Sequence, residues 1–382
     1  MNLKTLLLSS DEKTVRILRR VLGDLEINVE HCYTADDAIR QITRQRFEGI
    51  IVDVTNVEEA GNVLRGAKAA PVNKRALAIV LVESSIGMKG GFEMGAHFVL
   101  HKPFAVERAK ASFRAVRALM KRERRMQMRV PVQVPVECFG DSRYKAQTLD
   151  LCEGGMAIQF LDRMPKESPL RFSLELPGAR QGIEIEGELA WEGGEKQAGV
   201  RFKDVTDDQR RIFSQWLSSQ LSEPEQDDPP VICKVTDQSP GGCYLTTGSP
   251  FPRGTRVGLS IKTDGLEAHA KGFVLVAHPE FGMGVEFLQK TDEQRDQARR
   301  LVAALRAKGE TADLHVTPEG LERSSAGDHS ATSEAGTAEV SGSEDTLVAL
   351  FRHKFQVPVE SFMEQMRKRP SSGEARSLSA KQ

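Results

Sequence analysis

The sequence predicts a multidomain chain: an α/β doubly wound domain, then two small β-barrels, then a largely disordered tail. Three observations carry this. Over residues 1–120, short apolar runs alternate with segments of helical period, the pattern of a parallel sheet flanked by helices. Over residues 121–221 and 229–307 the chain repeats itself, and each copy reads as short alternating strands with Gly and Pro turns followed by one helix. From residue 308 the composition shifts to Gly, Ser, Thr, Ala and Glu, too poor in large apolar side chains to offset the entropy of folding. Within that tail, residues 346–368 recover apolar content and are expected to form a short ordered or recognition segment.

The chain has 382 residues, room for two or three domains. Its net charge of −1 argues against bulk electrostatic binding to nucleic acid or membranes. Charge is unevenly spread, basic around 108–129 and acidic around 207–228. No apolar run is long enough to span a bilayer, and the start MNLKTLLLSSDEK turns acidic too soon for a signal peptide. Cys32, Cys138, Cys152, Cys233 and Cys243 are scattered without a C-x-x-C pair, which fits reduced thiols and a cytoplasmic setting. The histidines show no metal-binding spacing, and no nucleophile–base pair or phosphate-cradling glycine loop is present, so no enzyme is expected.

In the first domain, Leu6–Leu8, Ile27–Val29, Ile50–Val52, Leu77–Val82 and Phe98–Leu100 are buried-strand candidates, with Thr14–Leu25 and Ala35–Arg46 helical between them. Such sheets bind ligands at the carboxyl ends of their strands. There the chain places Ser10, Asp11 and Glu12, then Asp53, then Lys102. Asp53 ends an apolar strand, Gly61 stands eight positions later, and GAHFVLHKPF closes the segment with Lys102 and Pro103. On these residues the segment resembles a response-regulator receiver domain. The resemblance implies Asp53 as phosphoacceptor, Lys102 on the transferred oxygens, Mg²⁺ held by Asp11, Glu12 and Asp53, and a sensor kinase as partner. The chain departs from that family in three places. Ser10-Asp11 stands where an acidic pair belongs, Val82-Glu83 where a Ser or Thr does (Ser84 and Ser85 are shifted), and Asn56-Val57 replaces Met-Pro. An active receiver and a pseudo-receiver that serves only for docking both fit. The last helix, Val106 to about Arg124, carries Phe113, Val116, Leu119 and Met120 at core spacing and runs into Arg125, so a shift of this helix would move the arginines at its end.

Residues 121–156 open with an arginine cluster: Arg122, Arg124, Arg125 and Arg129. Guanidinium forks suit phosphate and guanine edges. Val130, Val132, Val134 and Val136 alternate as one face of a strand, and Pro131 and Pro135 confine it to an edge or rim. The turn Asp150-Leu-Cys-Glu-Gly-Gly155 comes next. Together these residues resemble the PilZ family, whose signature is R-x-x-x-R and, downstream, D/N-x-S-x-x-G. The resemblance implies cyclic di-GMP, a bacterial second messenger, as ligand. Arg125 and Arg129, with Arg124 beside them, would clamp phosphate and stack on guanine, while Asp150, Cys152 and Gly155 would line the other guanine. Cys152 stands where the family has Ser, and a thiol is the weaker hydrogen-bonding group.

The second copy aligns VTDQSPGGCYL (235–245) on TLDLCEGGMAI (148–158), MGVEF on AGVRF and KTDEQR on VTDDQR. It has the full turn Asp237, Ser239, Gly242 but no arginine clamp, and little room for a first strand. Thr206…Gln209 and Thr291…Gln294 are capping boxes that start the two helices. The pentapeptide QVPVE at 133–137 recurs at 356–360, which would let the tail supply that strand, although a recognition element for a partner is equally consistent. The function these features imply is a cyclic di-GMP-binding signalling protein. It would couple receiver-type phosphorylation to tandem PilZ domains and act through an unknown protein partner. The alternative is a scaffold in which neither ligand binds.

Overall fold

The computed structural model describes residues 3–83, 86–165, 169–178, 182–203, 205–220, 228–263, 266–308, 313–322, 345–353 and 359–368. The chain divides into two compact units, residues 1–122 with 228–382, and residues 123–227.

The first unit begins with a five-stranded parallel sheet of β1 (Leu3–Leu8), β2 (Ile27–Cys32), β3 (Gly49–Asp53), β4 (Leu77–Val82) and β5 (Phe98–His101), ordered β2-β1-β3-β4-β5. Every residue of β3 and β4 is buried, the mark of strands covered on both faces. The covering helices are α1 (Glu12–Gly23), α2 (Ala35–Arg44), α3 (Val57–Ala69), α4 (Gly87–Glu93) and α5 (Val106–Gln127). Asp11, Thr34 and Asn56 cap α1, α2 and α3 by accepting backbone N–H groups that the first turn leaves unpaired. The strand order reverses at β1, so the carboxyl ends of β1 and β3 flank the crevice where ligands of this architecture sit.

The second unit is a barrel. It comprises β6 (Val130–Pro131), β7 (Pro135–Phe139), β8 (Arg143–Cys152), β9 (Gly155–Phe160), β10 (Leu170–Leu174), β11 (Ile183–Glu192) and β12 (Gln197–Lys203), with helix α6 (Asp207–Ser219). The order β8-β7-β10-β11-β12-β9 returns to β8 and closes the ring; β6 is an extra strand on β8. The single edge strand expected over Val130–Val136 is therefore corrected. Residues 132–134 break it, and Thr148 bridges the break, its hydroxyl accepting from Val134 N at 2.8 Å. Pro131 stays at an edge, but β7 lies inside the ladder between β8 and β10, with Pro135 tolerated as its first residue. Phe213, Trp216 and Leu217 of α6 are buried in the barrel cluster, and both halves of the Thr206–Gln209 capping box form.

The second barrel belongs to the first unit. It consists of β13 (Val231–Gln238), β14 (Gly242–Thr246), β15 (Thr255–Thr263), β16 (Leu266–His278), β17 (Gly282–Phe287) and β18 (Asp313–Leu321), closed in the order β13-β14-β17-β16-β15-β18, with α7 (Asp292–Lys308) between β17 and β18. In the first barrel β7 pairs with β8 and β10; in the second, β18 pairs with the corresponding β13 and β15. The second barrel is thus a circular permutation of the first, with its missing first strand supplied from beyond the helix. This corrects the expectation that the chain is disordered from residue 308 to 345. Leu314, Val316, Pro318 and Gly320 point inward at a period of two, and averaging over the surrounding Gly, Ser and Glu conceals them. The tail also forms α8 (Thr346–His353) and α9 (Val359–Lys368). The repeat QVPVE does not supply the strand: Val359 and Glu360 open α9, and residues 356–358 lie outside the described residues.

Candidate functional site

The sheet crevice gathers part of the predicted phosphoryl site. Asp53 has no exposed side-chain surface. Its Oδ1 accepts from Lys102 Nζ at 2.6 Å and its Oδ2 from Ser9 Oγ at 2.8 Å. Ser9, which also accepts from Asp11 N at 3.2 Å, is the residue that sequence reasoning passed over in favour of Ser10. Asp11 is turned away into its helix cap, accepting from Lys13 N at 3.0 Å and Thr14 Oγ1 at 2.6 Å. The Thr14 hydroxyl, foremost among these contacts, holds the Asp11 carboxyl below the usual carboxylate range. Glu12 is exposed at the start of α1. Among the described residues no three His, Cys, Asp or Glu side chains gather to hold a metal. The expected trio Asp11, Glu12 and Asp53 is not gathered around one point: Lys102 and Ser9 hydrogen-bond the oxygens of Asp53, the helix cap engages those of Asp11, and Glu12 is exposed. Glu83 Oε1 lies 3.7 Å from Lys102 Nζ, and Ser84 and Ser85 lie outside the described residues.

The first barrel sets one arginine of its predicted motif, Arg129, on the acidic turn. Strand β6 pairs with β8 in the register Val130↔Leu151 and Pro131↔Asp150, which sets Arg129 beside the turn. Arg129 Nη1 donates to Asp150 Oδ1 at 2.6 Å, and Ala157 N donates to the same oxygen at 3.2 Å. The Arg129 side chain is 46% exposed, and an ion pair in that setting is worth only about 0–1 kcal/mol. Arg124 and Arg125 sit half-buried in the last turn of α5 rather than at the mouth of the strand, because the helix continues to Gln127. Cys152 is buried, and desolvation pushes its thiol up. Gly155 has a packing reason of its own: a Cβ there would lie 2.1 Å from Val200 O, so only glycine lets β9 approach β12 this closely.

The second copy repeats that geometry without the arginines. Gly242 faces Val285 O, which a Cβ would meet at 2.4 Å. Ser239 closes the turn, its Oγ accepting from Gly242 N at 3.1 Å, and Asp237 Oδ1 accepts from Gln238 N at 2.7 Å. The adjacent N–H of Gly241 donates to Asp345 Oδ2 at 2.8 Å. Asp345, just ahead of α8, is a second residue missed from the sequence; its only signal was an N-cap type before an apolar run.

The PilZ domain model matches this chain twice, over residues 123–219 and 220–304. The second match ends before β18, as a permuted strand requires. No curated protein sequence matches the chain. Among solved structures, the chain is similar to the receiver domain of a Pseudomonas aeruginosa sensor histidine kinase with a coordinated magnesium ion: 18% identity, 32% of this chain, 99% of that one, TM-score 0.28. It is similar to a response regulator from Chloroflexus aurantiacus at 20% identity, covering 31% and 99% of the two chains, TM-score 0.28. It is also similar to the PilZ domain of CeSA from a cellulose-synthesizing bacterium, at 18% identity, 24% and 95% coverage and TM-score 0.20.

Proposed function

The chain carries two PilZ domains behind a receiver-like domain, and from that premise we propose that it is a non-enzymatic, cytoplasmic receptor for cyclic di-GMP which holds the nucleotide at the first PilZ domain. One observation supports the reading: β6–β8 pairing sets Arg129 on Asp150, so one arginine of the clamp meets the acidic turn. Arg124, Arg125 and Arg129 supply charge-assisted, forked hydrogen bonds to phosphate and a flat cation to stack on guanine. Asp150 supplies an acceptor for guanine N–H groups. The second domain keeps the turn but lacks the arginines, so it takes no nucleotide. Helix α5 connects Asp53's domain to the clamp by continuous chain, and on this reading it carries a receiver-type input, from a sensor kinase, toward a protein partner.

A second reading is favoured by a specific observation: with the metal trio not assembled, the receiver-like domain serves as a docking module and nucleotide binding alone drives the switch. Calorimetric titration of cyclic di-GMP into the full chain tests the first reading. Saturable binding confined to one PilZ domain is expected, with Arg129→Ala weakening it roughly 10- to 100-fold, the range for losing one charge-assisted contact of about 1.5–3 kcal/mol. Absence of saturation in the parent chain overturns it. Intact mass after incubation with a small-molecule phosphodonor, with Asp53→Asn as control, separates the two readings of the receiver.

A further inference from the structure

We propose that Asp345 with helices α8 and α9 forms a releasable cover which the chain carries for its own second PilZ domain, seated on the outer face of β14, β16 and β17 and latched by Asp345 on the Gly241 turn. The proposal concerns the domain that the nucleotide reading leaves without a ligand. Asp345 uses its two oxygens for different tasks. Oδ1 accepts from Leu347 N at 3.0 Å and Val348 N at 3.3 Å, starting α8, while Oδ2 takes the N–H of Gly241 in the motif turn. Arg352, one helical face along, ion-pairs with Glu286 of β17.

The apolar seat is a cluster separate from the barrel interior. Tyr244, Val276, Leu347, Phe351, Phe362 and Met366 bury one another, whereas Cys243, Leu245, Val274 and Val285 belong to the interior cluster. Alternation along β14 sends Cys243 and Leu245 inward and Tyr244 outward. Yet Tyr244 is wholly buried, and what buries it is the tail. The two domains place a helix over the same turn from different sources. A Cβ on Gly154 would lie 3.9 Å from Met126 O, in the arginine-bearing helix α5; one on Gly241 would meet Asp345 Oδ2 at 2.9 Å and Val348 Cγ2 at 3.0 Å. In the second domain, then, a segment tethered through residues 323–344 occupies the position that the clamp segment holds in the first.

The test cuts the tether. A site for a specific protease is placed within residues 323–344 of the full chain, and the cut protein is run by size exclusion with and without excess fluorescent peptide spanning residues 345–368. The fragment is expected to co-elute after cutting and to exchange with the peptide in a saturable way. A Cβ added by Gly241→Ala meets Asp345 and Val348 first, so it is expected to lower retention at least tenfold. Phe351→Ala, which empties the seat from the helix side, is expected to do the same. A fragment that leaves at once on cutting overturns the proposal, because there is then no latch. A fragment that never exchanges while the barrel stays folded also overturns it, because the segment is then a fixed part of the core.

Discussion

Single residues set the terms on which both barrels close. Gly155 and Gly242 each face a carbonyl oxygen of the neighbouring strand, at 2.1 and 2.4 Å from an added Cβ. Gly155→Ala is therefore expected to destabilise the first barrel by about 1–3 kcal/mol, the range for an overpacked interior, measured by urea unfolding. A loss under about half a kcal/mol would show that β9 and β12 separate freely, without the strain of an overpacked interior. His278 makes a different kind of demand. Its Nδ1 shares a hydrogen bond with Tyr244 Oη at 2.9 Å, its Nε2 is buried without a hydrogen-bond partner, and the Phe362 ring stands 4.5 Å away. Burial pushes the imidazole down to about 4. Linkage gives the sign. The unfolded imidazole titrates near 6.5, so protons bind the unfolded chain more readily. Stability is complete above roughly pH 6.5 and declines as pH falls toward 4, by at most about 3 kcal/mol. His278→Gln is expected to flatten that limb in unfolding experiments between about pH 4 and 7, and a parallel shift of the whole profile would sink the assignment.

At the scale of elements, the legibility of the sequence depended on the length of the pattern. The parallel sheet was readable because β4 is apolar along its whole length and Asp53 and Lys102 sit at strand ends. The capping boxes were readable because four residues determine them, and both form, Gln294 N donating to Thr291 Oγ1 at 3.2 Å. The repeat was readable because its turns are nearly identical. Strand β18 was not, since its inward residues include Pro318 and Gly320, types that read as loop, and its partners β13 and β15 are distant in sequence. Nor could the sequence indicate that Asp11 spends its carboxylate on Thr14 and Lys13 rather than facing Asp53; that is a choice of rotamer. The role of β18 leads to a direct comparison. A chain ending at Lys308 loses it and leaves β13 and β15 as open edges, whereas a chain ending at Glu322 keeps the ring and loses, among the described elements, the helices α8 and α9. Amide exchange in β13 and β15 is expected to collapse in the shorter chain and to persist in the longer one. Equal protection in both would mean that β18 is dispensable.

Across the whole molecule, adjacency in sequence is a poor guide to which domains share a core. The two PilZ domains are neighbours in sequence, yet the second is joined to the receiver-like domain in one compact unit. A single hydrophobic cluster includes Phe113, Val116 and Leu119 of α5 together with Leu301 of α7 and Val285 and Val316 of the second barrel. Polar ties reinforce it. Arg117 reaches Glu26 at 2.9 Å and Asp228 at 2.7 Å, Lys121 joins Asp228 at 2.7 Å, Arg108 meets Glu280 at 3.1 Å, and Arg122 Nε donates to Glu319 O at 2.8 Å. The arrangement predicts two cooperative transitions rather than three. Leu119 is wholly buried, and a Leu→Ala change at such a position costs about 2–5 kcal/mol. Leu119→Ala is expected to lower the transition of the receiver-like domain and of the second barrel together, and to leave residues 123–227 unfolding as before. Both tryptophans, Trp191 and Trp216, lie in that latter unit, so their fluorescence isolates it, while amide exchange reports on β4 and β17 in the other. If β4 loses protection and β17 keeps it, the receiver-like domain and the second barrel are energetically separate, and any signal from Asp53 would have to pass along the chain of α5 alone. If both lose protection together, the receiver-like domain and the second barrel are held in one cooperative unit by their shared core.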